Sequence, residues 1–124
     1  MRRRRAPVVA VLTGAVLLAF AAPGTARAAA AACSGREVRT LPFATGTVHV
    51  HKRDGYVCAL TVAKKPGTKR PMSVTVQARG NRPVTDKGRY SRHAGPVTVH
   101  AGHRCVRVAG SVGSQLVGSG WILC

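Results

Sequence analysis

The chain has 124 residues, with 20 Lys and Arg against three acids, for a formal net charge of +17 at pH 7. Three carboxylates leave little from which to build a paired-carboxylate hydrolase, and two Phe, two Tyr and one Trp are too few for the stacking platforms of a sequence-reading single-strand binder. What a strongly basic chain does attract is any polyanion: teichoic acid, nucleic acid, acidic polysaccharide or anionic lipid.

The N-terminus predicts the compartment. Arg2 to Arg5 form a positive patch, and an apolar stretch from Ala6 to Ala22 follows, interrupted by Pro7, Thr13 and Gly14. Pro23-Gly24 breaks it, and Ala26-Arg27-Ala28 is the small-x-small pattern read by a signal peptidase. Residues 1–28 therefore read as a secretory signal peptide, cleaved after Ala28. A membrane anchor is the alternative, but the apolar run only approaches the roughly 20 residues a spanning helix needs, so no transmembrane segment is expected in the mature protein. Removing 1–28 leaves 15 basic residues against Glu37, Asp54 and Asp86, a mature charge of about +12 on one modest domain.

All four cysteines, Cys33, Cys58, Cys105 and Cys124, lie beyond that cut. In a short exported chain an even number of cysteines implies a disulfide framework, and no Cys-x-x-Cys pair exists to supply a zinc site. Three connectivities are possible. Cys33 with Cys58 and Cys105 with Cys124 are favoured, because each bridge ties a loose end of the domain to a predicted strand. Loops of this length stabilise by roughly 3 kcal/mol each on the chain-entropy estimate.

In chain order, residues 29–44 are expected to be irregular and 45–124 to form the disulfide-stapled β domain. Gly46 to His51 alternates, with Val48 and Val50 on one face and His49 and His51 on the other. Arg53-Asp54-Gly55 is a hairpin-turn signal, since Asp-Gly accepts the positive backbone angles such turns require. Val57 to Val62 returns as a second strand, with Cys58, Leu60 and Val62 expected on one side. Lys64-Lys65-Pro66-Gly67 breaks the chain, and Met72, Val74 and Val76 alternate with Ser73, Thr75 and Gln77 as a third strand. Residues 79–89 read as a basic loop with too few apolar residues to pack, and Tyr90 as the start of a short strand. Val97 to His100 and Cys105 to Val108 flank Ala101-Gly102-His103 and read as a second hairpin. A Gly/Ser-rich stretch from Gly110 to Gly120, in which Gly113-Ser114 and Gly118-Ser119-Gly120 read as flexible loop, leads to Trp121, which is expected in the core or sealing the last disulfide. No helix is predicted after residue 28, because β-branched residues, Gly and Pro dominate. Five to seven short strands with two disulfides predict an all-β antiparallel sandwich or partly open barrel.

The succession Gly46-Thr47-Val48, Cys58 to Val62, Gly67, Met72-Ser73, Asp86-x-Gly88-x-Tyr90, Ala94-Gly95-Pro96-Val97-x-Val99, Cys105-Val106, Gly110, Ser119 and Cys124 resembles the spore-associated protein A family of streptomycetes, small exported proteins with four cysteines. The resemblance runs from Cys33 onward and is most specific over Tyr90 to Val99 with the last two cysteines. It implies association with spores or aerial growth and carries over no catalytic residue. Lys and Arg here occupy many positions that are Tyr, Trp or Asp in that family.

Catalytic constellations are wanting. Asp54 reads as a turn former and Asp86 as a capping or loop residue. Gly113-Ser114 and Gly118-Ser119-Gly120 lack the strand-to-helix setting of a nucleophile elbow. His49 and His51 share a face and have metal-ligand character, but as an isolated pair they read as the polar side of an exposed strand, so no metal or cofactor is predicted. The cations cluster at Lys64-Lys65, Lys69-Arg70, Arg79 to Arg92, and Arg104 with Arg107. The expected function is a non-enzymatic exported protein attached partly by charge to an anionic cell-wall or spore-surface polymer, with Arg79, Arg82, Lys87, Arg89 and Arg92 as the contact set. Alternatives are a secreted inhibitor of an extracellular enzyme, or a small basic ribonuclease-like or antimicrobial protein. Sequence-specific nucleic-acid recognition is not expected.

Overall fold

The structure, a computed structural model, describes residues 33–124; the expected signal peptide and its cleavage site lie outside the described residues. Eight strands follow one another: β1 (Arg36–Phe43), β2 (Gly46–Arg53), β3 (Tyr56–Ala63), β4 (Arg70–Ala78), β5 (Val84–Tyr90), β6 (His93–His100), β7 (Val106–Val112) and β8 (Gln115–Ile122). They form two four-stranded antiparallel sheets, ordered β1-β2-β3-β6 and β5-β4-β7-β8. The described residues thus form an all-β sandwich, with one strand more than the five to seven expected.

The alternation that suggested strands also fills the core. Val48 and Val50 of β2, Met72, Val74 and Val76 of β4, and Val106, Val108 and Val112 of β7 are buried between the sheets, one residue in two along each strand. In β3 the inward residues are Val57, Ala59, Thr61 and Ala63, the opposite face to the one expected. β3 is apolar on both sides, so periodicity alone does not choose. Its small inward side chains let the sheets approach closely, while Cys58 and Leu60 lie on the outer side opposite His51 and His49 and are shielded there. Thr61 is the one buried polar side chain among the described residues, and its hydroxyl crosses to the other sheet to donate to the Ser73 carbonyl at 2.8 Å.

Both favoured bridges are present, Cys33–Cys58 and Cys105–Cys124, and no cysteine is free. The first ties the segment before β1 to central strand β3. The second joins the residue before β7 to the residues after β8. The first hairpin is also as expected: Asp54 and Gly55, with φ of 48° and 83°, form a two-residue loop between β2 and β3.

Five local expectations are corrected. Residues 36–43 of the segment expected to be irregular form β1, which needs only one ladder and packs Val38, Leu41 and Phe43 against the core. Most of the supposed basic loop 79–89 is edge strand β5. Its inward positions are Asp86, Gly88 and Tyr90; the Tyr90 ring packs against the core, and the Asp86 carboxylate accepts the Tyr90 hydroxyl at 2.6 Å and the Gly95 amide at 2.7 Å. Tyr90 accordingly closes β5 and does not open a strand. The second predicted hairpin is not one, because β6 pairs with β3 while β7 pairs with β4, so residues 101–105 carry the chain from one sheet to the other. A hairpin forms instead between β7 and β8, turning at Gly113-Ser114, residues expected to be flexible loop, with Gly113 at φ 67°. Gly118, Ser119 and Gly120 are residues of strand β8.

Candidate functional site

The three acids decide where positive charge stays unneutralised. Glu37, on β1, lies against His49 Nδ1 at 2.6 Å and 3.9 Å from His51 Nε2, on the outer side of β1-β2-β3-β6. Asp54 sits in the β2–β3 hairpin turn, 3.7 Å from Arg53. Asp86 points inward with both oxygens bonded. The outer face of β5-β4-β7-β8 therefore holds no acid.

That face is built by alternation. Inward Met72, Val74, Val76 and Ala78 leave Pro71, Ser73, Thr75 and Gln77 outward on β4. On β5 the outward residues are Thr85, Lys87 and Arg89, opposite Thr75, Ser73 and Pro71. On β7 they are Arg107, Ala109 and Ser111, and on β8 Leu116, Gly118 and Trp121. Hydroxyls line the middle: Ser73 Oγ meets Ser111 Oγ at 2.6 Å and Thr75 Oγ1 meets Thr85 Oγ1 at 2.9 Å. Cations flank this polar strip, with Lys87 and Arg89 along one edge and Arg79 and Arg107 at the end where β4 stops. Leu116 stands 72% exposed at the opposite corner.

Of the five residues expected to contact a polymer, Arg79, Lys87 and Arg89 lie on this face. Arg82 is exposed in the β4–β5 connection beside it. Arg92 does not join them. It lies in the β5–β6 turn, where its carbonyl accepts the Ala63 amide at 2.8 Å and neighbouring Ser91 accepts that of Gly67 at 3.1 Å, so it leaves the face at the end where Arg89 stands and belongs with Lys64 and Lys65. A shallow recess lined by Ala44, Thr45, Lys64, Lys65 and Arg70 opens there.

Two arginines that look available in sequence are occupied in the fold. Arg104 donates to the carbonyls of Ala101 at 3.1 Å, His100 at 3.0 Å and Arg79 at 3.4 Å, clamping the 101–105 crossing to the turn after β4. Arg70 spends its guanidinium on the carbonyls of Thr68 and Lys65. Arg107 is the reverse case, a cation the sequence reading grouped with Arg104 but did not choose. Its position between Val106 and Val108, both fully buried, is the signal that sends it outward.

Trp121 corrects a further expectation. It is half-buried on the outer face, not in the core, and pairs across the ladder with Arg107, whose guanidinium lies 4.2 Å from the indole centroid; Arg79 lies 5.4 Å from the same ring. A register shift in β8 between the residues facing Ala109 and Arg107 aims it there, and the Ser119 hydroxyl accepts the Val108 amide at 3.0 Å where the ladder is interrupted.

Among the described residues, no group of three or more His, Cys, Asp or Glu is arranged to hold a metal ion, and no helix is long and apolar enough to cross a membrane. His49, His51, His93 and His100 all lie on the outer side of β1-β2-β3-β6, with His100 edge-on to Tyr56 at 4.9 Å between ring centroids. No protein-family model matches this chain, and no curated protein or solved structure matches it.

Proposed function

We propose that this is a non-enzymatic exported domain that attaches to an anionic polymer of the cell or spore surface through the outer face of β5-β4-β7-β8. One observation carries the reading: Arg79, Lys87, Arg89 and Arg107 stand on one sheet face that holds no carboxylate, while every acid among the described residues is on another surface or bonded inward. Exposed cations of this kind contribute little to folding, and an uncompensated row of them draws a polyanion by field and counter-ion release. The hydroxyls between the cations supply donors and acceptors for a hydrated polymer. Two disulfides fit an oxidising compartment outside the cell. The resemblance to spore-associated protein A supports spores or aerial cells as the surface.

Cosedimentation with isolated cell wall and spore coat tests this. Binding is expected at 0.1 M salt and lost by 1 M, as the Debye length contracts from about 10 Å to about 3 Å. Sucrose at equal osmolarity should leave it intact. Attachment that persists or strengthens in high salt would place the contact on an apolar patch and overturn the reading.

A further inference from the structure

The four cations of the sheet face are not equivalent. Lys87 carries its charge on a flexible stem, and Arg89 donates one 3.3 Å bond to the Lys69 carbonyl. Arg79 and Arg107 are instead held against a single indole ring, at 5.4 and 4.2 Å from its centroid. Stacking of this kind takes up the flat face of a guanidinium and leaves its N–H edge free. Among the described residues neither guanidinium donates a hydrogen bond or meets a carboxylate, whereas Arg104 beside them has spent its donors on three carbonyls.

The surroundings hold this corner in place. The interrupted ladder at Ser119 sets the direction of Trp121, and the Cys105–Cys124 bridge pins the end of β8 to the start of β7, fixing the register that puts Trp121 beside Arg107. Arg79 is fixed from its own backbone, its amide donating to the Cys105 carbonyl at 3.0 Å and its carbonyl accepting from Arg104. Two oriented forks with unused donors match an acid group that presents two oxygens side by side.

We propose that the Arg79–Trp121–Arg107 corner is a selective oxyanion grip, taking the two-oxygen acid groups of the bound polymer, whether phosphodiester or carboxylate, by bidentate hydrogen bonds. This rests on the polymer-binding reading and adds geometry to it: Lys87 and Arg89 contribute charge, the corner contributes shape. The indole face restricts both guanidiniums, Arg107 at 4.2 Å more than Arg79 at 5.4 Å, so less side-chain entropy remains to be lost on binding.

Trp121 is the chain's only tryptophan, so its fluorescence reports on the corner directly. The test titrates the mature, disulfide-bonded protein with glycerol-phosphate oligomers and, separately, with oligogalacturonate of equal length, following Trp121 emission. A saturable change with either probe is expected, and the tighter probe identifies the acid group. Arg79→Lys with Arg107→Lys keeps the charge and removes the forks; affinity should fall about tenfold or more. Arg36→Lys with Arg39→Lys, exposed on β1 of the other sheet and also charge-neutral, should stay within about twofold. Should the double lysine variant melt differently from the parent, Arg107→Lys alone carries the comparison. If the lysine variant binds as the parent does while polymer attachment remains salt-sensitive, the grip is wrong and charge alone suffices. Failure of both probes to move the emission of the parent protein would overturn it as well. Salt-insensitive attachment would instead remove the underlying function.

Discussion

Gly110 is the position where the two sheets leave least room. It faces inward on β7, and a Cβ added there would collide with Thr61 Oγ1, lie 2.5 Å from Val48 Cγ2 and 3.3 Å from the Ser73 carbonyl oxygen. Val48 and Thr61 are fully buried and β-branched, so neither has a free rotamer to retreat into. Thr61 is also bonded to Ser73 across the sandwich, so displacing it breaks the inter-sheet hydrogen bond. Overpacking by a methyl group costs about 1–3 kcal/mol, and stranding a buried hydroxyl a further 1–3 kcal/mol. Gly110→Ala should therefore destabilise by roughly 3 kcal/mol or more, which lowers the melting temperature of a domain this size by about 12–24 °C. Far-ultraviolet circular dichroism during heating reads this directly. Adding Val48→Ala should cost less in the Gly110→Ala background than in the parent, because it vacates the space the new methyl group needs. A melting temperature within 3 °C of the parent, roughly half a kilocalorie, would refute the claim that close sheet approach at Gly110 and Thr61 shapes the core.

Three further outcomes follow from other parts of the structure. The hydrogen bond from Tyr90 to Asp86, then burial and the negative charge of that carboxylate, hold the Tyr90 phenol above its ordinary value near 10. In a Tyr56→Phe protein the remaining tyrosine should thus titrate above pH 10 by absorbance at 295 nm, and Asp86→Asn should bring the midpoint down. Because the folded state favours the neutral phenol, the stability this bond contributes is intact below pH 10 and disappears as pH rises through the raised value. Replacing Cys105 and Cys124 with Ser should cost about 3 kcal/mol in urea denaturation and blunt the Trp121 response to glycerol-phosphate oligomers, whereas an unchanged response would show that β8 keeps its register without the staple. Replacing His49 and His51 with Gln should change stability by no more than about 1 kcal/mol and leave polymer attachment unchanged near neutral pH, since their partner Glu37 is exposed and lies on the other sheet.

The features of the fold legible in the sequence were those with a local cause. Val48, Val50, Met72, Val74 and Val76 alternate strictly, so their strands and core face could be read off, and Asp54-Gly55 announced its turn. The two bridges followed from asking which chain ends lacked support. Features that depend on partners were hidden. β5 lacks an apolar face and exists because β4 offers it a ladder and because Asp86 meets Gly95 of the following strand. The inward face of β3 is decided by the opposing sheet, since both of its own faces are apolar. In the candidate site, Lys87 and Arg89 were visible as charge, but alternation in a strand put them on one face with Arg107. Arg92 was grouped with them by sequence proximity alone, and the β5–β6 turn carries it off the face, against the end of β3. The Trp121 corner depends on a ladder interruption in β8, which a Gly/Ser-rich stretch does not announce.

The salt dependence of polymer binding tests the central claim most directly. Each contacting cation that releases a counter-ion adds roughly 0.7 to the slope of log affinity against log salt on a single-stranded polyanion. Changing Arg79, Lys87, Arg89 and Arg107 together to Gln should therefore reduce that slope by roughly 3 on a glycerol-phosphate polymer, while thermal stability is kept. If the parent and the four-fold variant instead give parallel lines, the charges that hold the polymer lie elsewhere, and the outer face of β5-β4-β7-β8 is not the binding surface.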